Sequence, residues 1–267
     1  MRLAALPTFA LAWGIASGAQ PRIGAREPVL ATQFIFEDAP FASAHASTIV
    51  ETRGGLVTAW FGGTREGASD VGIWSAWQQT NGQWTGPQEI ANGLQPDGTR
   101  YPTWNPVLFE LTQGVLTLFY KVGPTPRTWW GMTQSSMDNG RTWSSARRLP
   151  DGVLGPIKNK PVRLTEGTVI AGSSTESNDT PSTWRVHFEV TRDEGATWST
   201  VRPPAADTSR EIDAIQPSIL LHPDGMLQAV GRTRSGRVFE TDRAIEDSHG
   251  RWYRCWTFPI PTRAPMH

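Results

Sequence analysis

Two octapeptides, Ser136-Met-Asp138-Asn-Gly140-Arg-Thr142-Trp143 and Thr191-Arg-Asp193-Glu-Gly195-Ala-Thr197-Trp198, stand 55 residues apart. Both read Ser/Thr-x-Asp-x-Gly-x-Thr-Trp, and each residue type has work to do in a tight hairpin turn. The hydroxyl and the Asp carboxylate cap turn amides, Gly takes the φ > 0 position, and Trp folds back as an apolar anchor. Two such turns, each ending a unit of similar length, imply a repeat architecture. A second repeat supports the period. Apolar strand, polar turn with Gly, apolar strand recurs around Gly55, Gly114, Gly167 and Gly225, which are 59, 53 and 58 residues apart. Short alternating strands at this spacing predict an all-β fold of four-stranded units, and no helical periodicity competes with them. Thr80-Asn81-Gly82-Gln83-Trp84 in the first unit is a reduced form of the octapeptide that keeps Gly and Trp.

The octapeptide resembles the Asp box (BNR repeat) of sialidase-like β-propellers, and residues 28–253 are similar to that superfamily. The resemblance implies four-stranded blades around a channel, usually six of them. This chain accounts for about four, so a divergent, C-terminally truncated member is expected, with 254–267 an irregular tail. Residues 1–19 read as a signal peptide: Arg2, an apolar run to Ala16, then Ser17-Gly18-Ala19 as small cleavage-site residues. Secretion or a periplasmic location follows as an expectation. The run is short and holds Pro7, against stable membrane insertion. Cys255 is the only cysteine, so no internal disulfide is possible.

Charge narrows the partners. Twenty-five Lys and Arg balance twenty-five Asp and Glu, so the chain lacks the electrostatic footprint of a nucleic-acid binder. Thirteen Trp against three Tyr is a strong bias. Most are expected in blade cores, with some of Trp104, Trp129 and Trp130 lining a cleft where an indole face meets a sugar. The histidines are scattered without metal-ligand spacing, and no cofactor motif is present.

The resemblance also directs attention to particular residues. Sialidases carry an Arg-Ile-Pro motif on the first inner strand, then a loop with a second Arg and an Asp general acid. Here His45 replaces the first Arg, while Arg65 and Asp70 occupy the positions of the second Arg and the acid. In the third repeat, where a Glu would activate a Tyr nucleophile, the stretch is Gly155-Pro-Ile-Lys158-Asn159-Lys160-Pro161. Glu176 lies out of register, and Tyr101, Tyr120 and Tyr253 are not placed for nucleophilic attack. The retaining sialidase mechanism therefore does not carry over unchanged.

Asp70 and His45 are the expected catalytic pair. Arg65, Asn105, Lys121, Lys158, Lys160, Arg185, His187, Gln216 and Arg232, with Arg234 beside it, are expected to bind substrate at inner-strand ends. Cations gathered at one channel suit a carboxylate sugar, sialic or uronic. Three functions follow: an exo-glycosidase on such a sugar, a uronate lyase using His45 as acid or base, or a non-catalytic glycan-binding propeller or inactive fragment.

Overall fold

The computed structural model describes residues 32–202, 213–243 and 253–259. Among the described residues all strands and their pairings are antiparallel, grouped in four four-stranded sheets. Blade 1 comprises β1 (Ser43–Thr52), β2 (Gly55–Gly63), β3 (Gly72–Trp77) and β4 (Gln88–Ala91); blade 2 comprises β5 (Thr103–Thr112), β6 (Val115–Val122), β7 (Trp130–Ser136) and β8 (Arg147–Arg148). Blade 3 holds β9 (Val162–Arg163), β10 (Val169–Glu176), β11 (Trp184–Thr191) and β12 (Ser199–Val201); blade 4 holds β13 (Ala214–Leu221), β14 (Leu227–Thr233), β15 (Arg237–Arg243) and β16 (Tyr253–Pro259). The arrangement is a four-blade β-propeller. It belongs to the unit that begins at Ile35. The expected signal peptide lies outside the described residues.

The four repeat glycines sit in the turn between first and second strands, all with positive φ: Gly55 at 108°, Gly114 at 76°, Gly167 at 93° and Gly225 at 84°. The second strands β2 and β6 are buried on both faces, which explains their largely apolar sequences. Alternation then divides their side chains between neighbouring blades. From β6, Leu116, Leu118 and Tyr120 join Val57, Phe61 and Ile73 of blade 1. Phe119 points the other way, into a cluster with Leu149 and Val169 toward blade 3. Ile170, Phe188, Ile219 and Leu227 fill the space between blades 3 and 4.

Both complete Asp boxes join third to fourth strands. Asp138 accepts from Thr142 N at 2.8 Å, Thr142 Oγ1 at 2.6 Å and Ser136 Oγ at 2.8 Å, while Gly140 N donates to Ser136 Oγ at 2.8 Å. Asp193 repeats this with Thr197 and Thr191. Two successive residues, not one, are left-handed: Asn139 (60°) with Gly140 (82°), and Glu194 (56°) with Gly195 (86°). Trp143 and Trp198 are half-buried, packing on the blade 1–2 and blade 2–3 cores respectively. The boxes also join blades, because a Cβ on Gly140 would meet Val57 of blade 1 at 2.9 Å, and one on Gly195 would meet Leu111 of blade 2 at 2.7 Å.

One expectation is corrected. Residues 254–259, read as irregular tail, belong to β16, which pairs with β15 from Arg237↔Pro259 to Asp242↔Tyr253. An outermost blade strand needs pairing on only one side, so its sequence need not alternate and it can end in Pro.

Candidate functional site

Six described non-glycine residues have positive φ, and they occupy two recurrent positions. Asn139 and Glu194 belong to the Asp boxes. The other four fall one per blade, on or just before the first strand: Ala46 (54°), Asn105 (42°), Lys158 (68°) and Gln216 (55°). In β1, β5 and β13 the register breaks there, between His45 and Thr48, Trp104 and Val107, and Ile215 and Ser218. Each such residue costs of order 1–3 kcal/mol, and strain of this kind gathers at functional sites. All four lie where the first strand begins and the second ends, so they mark one end of the propeller.

The segment Leu154–Lys160 bonds to the first strands of the other three blades. Lys160 Nζ donates to Leu108 O of blade 2 at 3.1 Å and to Thr48 Oγ1 of blade 1 at 3.4 Å; burial of the ammonium lowers its pKa to about 8. Asn159 Nδ2 donates to Gln216 O of blade 4 at 2.8 Å. Lys158, between them, is exposed and enters no ion pair among the described residues. Beneath the segment lies a buried charged cluster. Lys121, fully buried, donates to Pro156 O at 2.5 Å. Glu189, also fully buried, accepts Leu154 N at 2.8 Å, Gly155 N at 2.6 Å and His187 Nε2 at 3.0 Å. Desolvation pushes the Lys121 pKa down to about 7, partly opposed by the Glu189 charge. Lys121 and His187 thus lie under the channel mouth, holding its backbone, and do not reach its surface.

At the blade 1 side His45 is exposed, and its Nδ1 lies 3.2 Å from Glu66 Oε2. Its ring meets Phe61 edge-on at 5.4 Å. Arg65 is exposed in the same Gly-rich loop. Asp70 closes that loop, accepting from Thr64 N at 2.9 Å and from the Thr64 hydroxyl through a short contact. The Thr64 hydroxyl is the main reason its carboxyl sits below the ordinary carboxylate range. Asp70 is therefore ionised at neutral pH, and acting as an acid would require giving up that bond.

A third group forms between blades 3 and 4. Arg234 and Arg232 lie over the Trp184 ring at 4.2 and 5.3 Å. Asp213 stands 3.7 Å from Arg185 and 3.8 Å from Arg234, and accepts the Trp184 amide in a short hydrogen bond. Arg185 and Arg234 thus share the Asp213 carboxylate, while Arg232 shares the Trp184 ring with Arg234. Asn105 is buried, in the bulge that follows the register pair Trp104↔Lys121, and does not reach the surface as a substrate-binding residue would. Among the described residues no group of three His, Cys, Asp or Glu is arranged to hold a metal ion.

This repeat geometry is matched by a family model, the BNR repeat-like domain, over residues 54–253. The chain belongs to that family. No curated protein matches this BNR repeat-like chain in sequence. Among solved structures it is similar to a protein of unknown function from Dyadobacter fermentans, at 16% identity and TM-score 0.63, covering 80% of this chain and 68% of the other. A Hadza microbial sialidase matches at 15% and 0.61, over 82% of this chain and 47% of that one. The NanB sialidase of Streptococcus pneumoniae matches at 11% and 0.61, over 85% and 54%. The chain thus spans about half the length of these two sialidases. At such identities the likeness is one of fold.

Reading from sequence missed Glu66, Glu189, Asp213 and Trp184. Glu189 was within reach, two residues after His187 and hence on the same strand face. Asp213 was not, because its partners lie on other elements.

Proposed function

We propose that this protein binds the carboxylate-bearing terminal sugar of a glycan at the channel mouth and cleaves its glycosidic bond. The four left-handed residues, one per blade at the inner-strand ends, with Leu154–Lys160 bonded to the first strands of the other three blades, are the observation that carries this reading. Around them stand cations free to meet an anion. Lys158, Arg65 and Arg232 enter no ion pair among the described residues, while Arg185 and Arg234 share Asp213. Two structures with this fold are sialidases by name, which supports an acidic sugar as ligand. A secreted or periplasmic location belongs to the same proposal.

The chemistry differs from that implied by the sialidase pattern. Tyr120 is buried, which raises its pKa and keeps it protonated; Tyr101 packs edge-on against Trp130 at 5.7 Å. Buried and protonated, Tyr120 is not a free nucleophile. Glu66 orients His45, leaving Nε2 open to exchange a proton with the glycosidic oxygen. Ionised Asp70 suits a base or a charge-stabilising group better than an acid. A second reading, β-elimination at a uronate, is favoured by the same His45–Glu66 pair.

Turnover of aryl sialosides, aryl glucuronides and a uronate polysaccharide separates the two. Hydrolysis releases the aglycone without an ultraviolet-absorbing unsaturated product; elimination forms that product. In either case His45→Gln should lower turnover by on the order of 10²-fold or more, and Lys158→Met should raise KM with little change in kcat. Binding of neutral glycans with no affinity for any carboxylate sugar would overturn the proposal.

A further inference from the structure

In blade 1 the loop Thr64–Val71, between β2 and β3, carries Asp70 and Glu66, the partner of His45. Three amides are bonded within it. Thr64 N donates to the Asp70 carboxylate at 2.9 Å, Ala68 N to Arg65 O at 3.1 Å and Val71 N to Ala68 O at 3.1 Å. Such bonds shape the loop without fixing where it points, because donors and acceptors move together. Anchors from outside must do that. At the stem, Trp74 Nε1 donates to Gly62 O at 3.0 Å, and a Cβ on Gly62 would meet the Phe41 ring at 3.0 Å. Near the tip, a Cβ on Gly67 would meet the Trp104 indole at 3.3 Å.

At the other end of the loop the anchor is an ion. Arg100 lies in the connection between blades 1 and 2, where it pairs with Leu94. Its Nη2 donates to Asp70 O at 3.1 Å and to Glu89 Oε1 of β4 at 3.4 Å. Asn92 Nδ2 donates to the same Glu89 oxygen at 2.9 Å, and a Cβ on Gly72 would meet Glu89 Cδ at 2.9 Å. Glu89 is thus braced against the backbone that follows the loop, and Arg100 carries that brace back to Asp70. Its charge reaches the same residue. The Thr64 hydroxyl holds the Asp70 carboxyl below its usual range, and the Arg100 charge adds to this. The Arg100 side chain is 36% exposed, so its ion pair adds little to global stability. Its effect is local.

We propose that Arg100 is a positioning residue for the site: braced by Glu89, it holds the Thr64–Val71 loop through Asp70 O and so keeps Glu66 against His45. The inference rests on the reading that His45 and Asp70 act on a substrate at this end of the propeller. Arg100 touches no substrate and works through the loop. A shift of the loop by about 1 Å is enough to cost on the order of 10²-fold in rate.

Amide hydrogen exchange and turnover, both on the full chain, test it. Arg100→Gln should speed exchange of the Thr64, Ala68 and Val71 amides at least about 10-fold, because the opening is local. The Asp-box amides of Thr142 and Thr197, bonded to Asp138 and Asp193, should exchange as in the parent. Turnover is measured on whichever of the aryl sialoside, aryl glucuronide or uronate polysaccharide the parent cleaves. There kcat should fall at least about 10-fold and KM change less than about 3-fold, since Lys158 and Arg232, which meet the acidic sugar, lie on other elements. Arg100→Lys, which keeps a cationic donor, should recover most of both losses. Loop amides that exchange as in the parent overturn the inference. So do amides that speed up alike throughout the chain, or an unchanged kcat on a loosened loop. If the parent cleaves none of the three substrates, the proposed function fails and exchange alone decides the anchor. Local loosening in Arg100→Gln that Arg100→Lys reverses then upholds it, and the absence of loosening overturns it.

Discussion

Lys121 is the residue where burial and charge conflict most sharply. Its ammonium has one carbonyl, Pro156 O, and a nearby buried carboxylate, Glu189. Removing one partner of a buried pair strands the other. Lys121→Ala should therefore destabilise by about 3–5 kcal/mol in urea unfolding, with Lys121→Met/Glu189→Gln recovering part of the loss. Linkage fixes the sign of the pH effect. The folded pKa is lowered from 10.5 to about 7, so between these values the unfolded chain holds one more proton than the folded one. Stability should rise with pH across that window and be lost as pH falls toward 7, and Lys121→Met should flatten the slope. Equal slopes in both proteins would refute this. Ala46 makes a contrasting case. At φ 54° its Cβ is strained, so Ala46→Gly should be nearly neutral, whereas Ala59→Gly in the buried middle of β2 should cost about 1 kcal/mol or more.

Among the elements, the Asp-box hairpins carry the most local organisation. The Thr142 hydroxyl, then its amide, holds the Asp138 carboxyl at about 2, below the ordinary 3.8. That stabilisation is present above 3.8 and is lost as pH falls through about 2. Acid titration of thermal stability should show the loss in the parent and a smaller one in Thr142→Val. Trp143 is only half-buried, so Trp143→Ala should cost less than the roughly 3–5 kcal/mol of a fully buried aromatic, and unchanged stability would remove its role as an anchor. These hairpins were legible in the sequence because their contacts lie within eight residues. Strand β16 was not legible, since an outermost strand pairs on one side only and its sequence shows no clear alternation to read.

Across the whole molecule, each complete Asp box docks onto the preceding blade, and that contact transmits stability between blades. Gly195 is left-handed at 86° and would place a Cβ 2.7 Å from Leu111. Gly195→Ala should cost about 1–3 kcal/mol, and because the blade cores are shared, calorimetry should show one transition lowered rather than one blade melting apart. A split transition would mean that the blades are energetically separate.

Sequence by itself determined the all-β class, the blade period, the four turn glycines and the Asp-box hairpins. Each follows from residues near one another in the chain, where turn chemistry and alternation act directly. It also marked the inner-strand positions, since Asn105 and Gln216 precede prolines and Lys158 precedes Asn159. The tertiary structure decided what those positions do. Whether a lysine lines a channel or lies beneath it depends on which face of its strand the next blade covers. Lys121, on the Phe119 face of β6, is sealed under Pro156, while Lys158, on the segment above, stays open. The pairing of His45 with Glu66 and the gathering of Arg185, Arg232 and Arg234 about Trp184 likewise depend on loops meeting across space, for which spacing in the chain carries no signal.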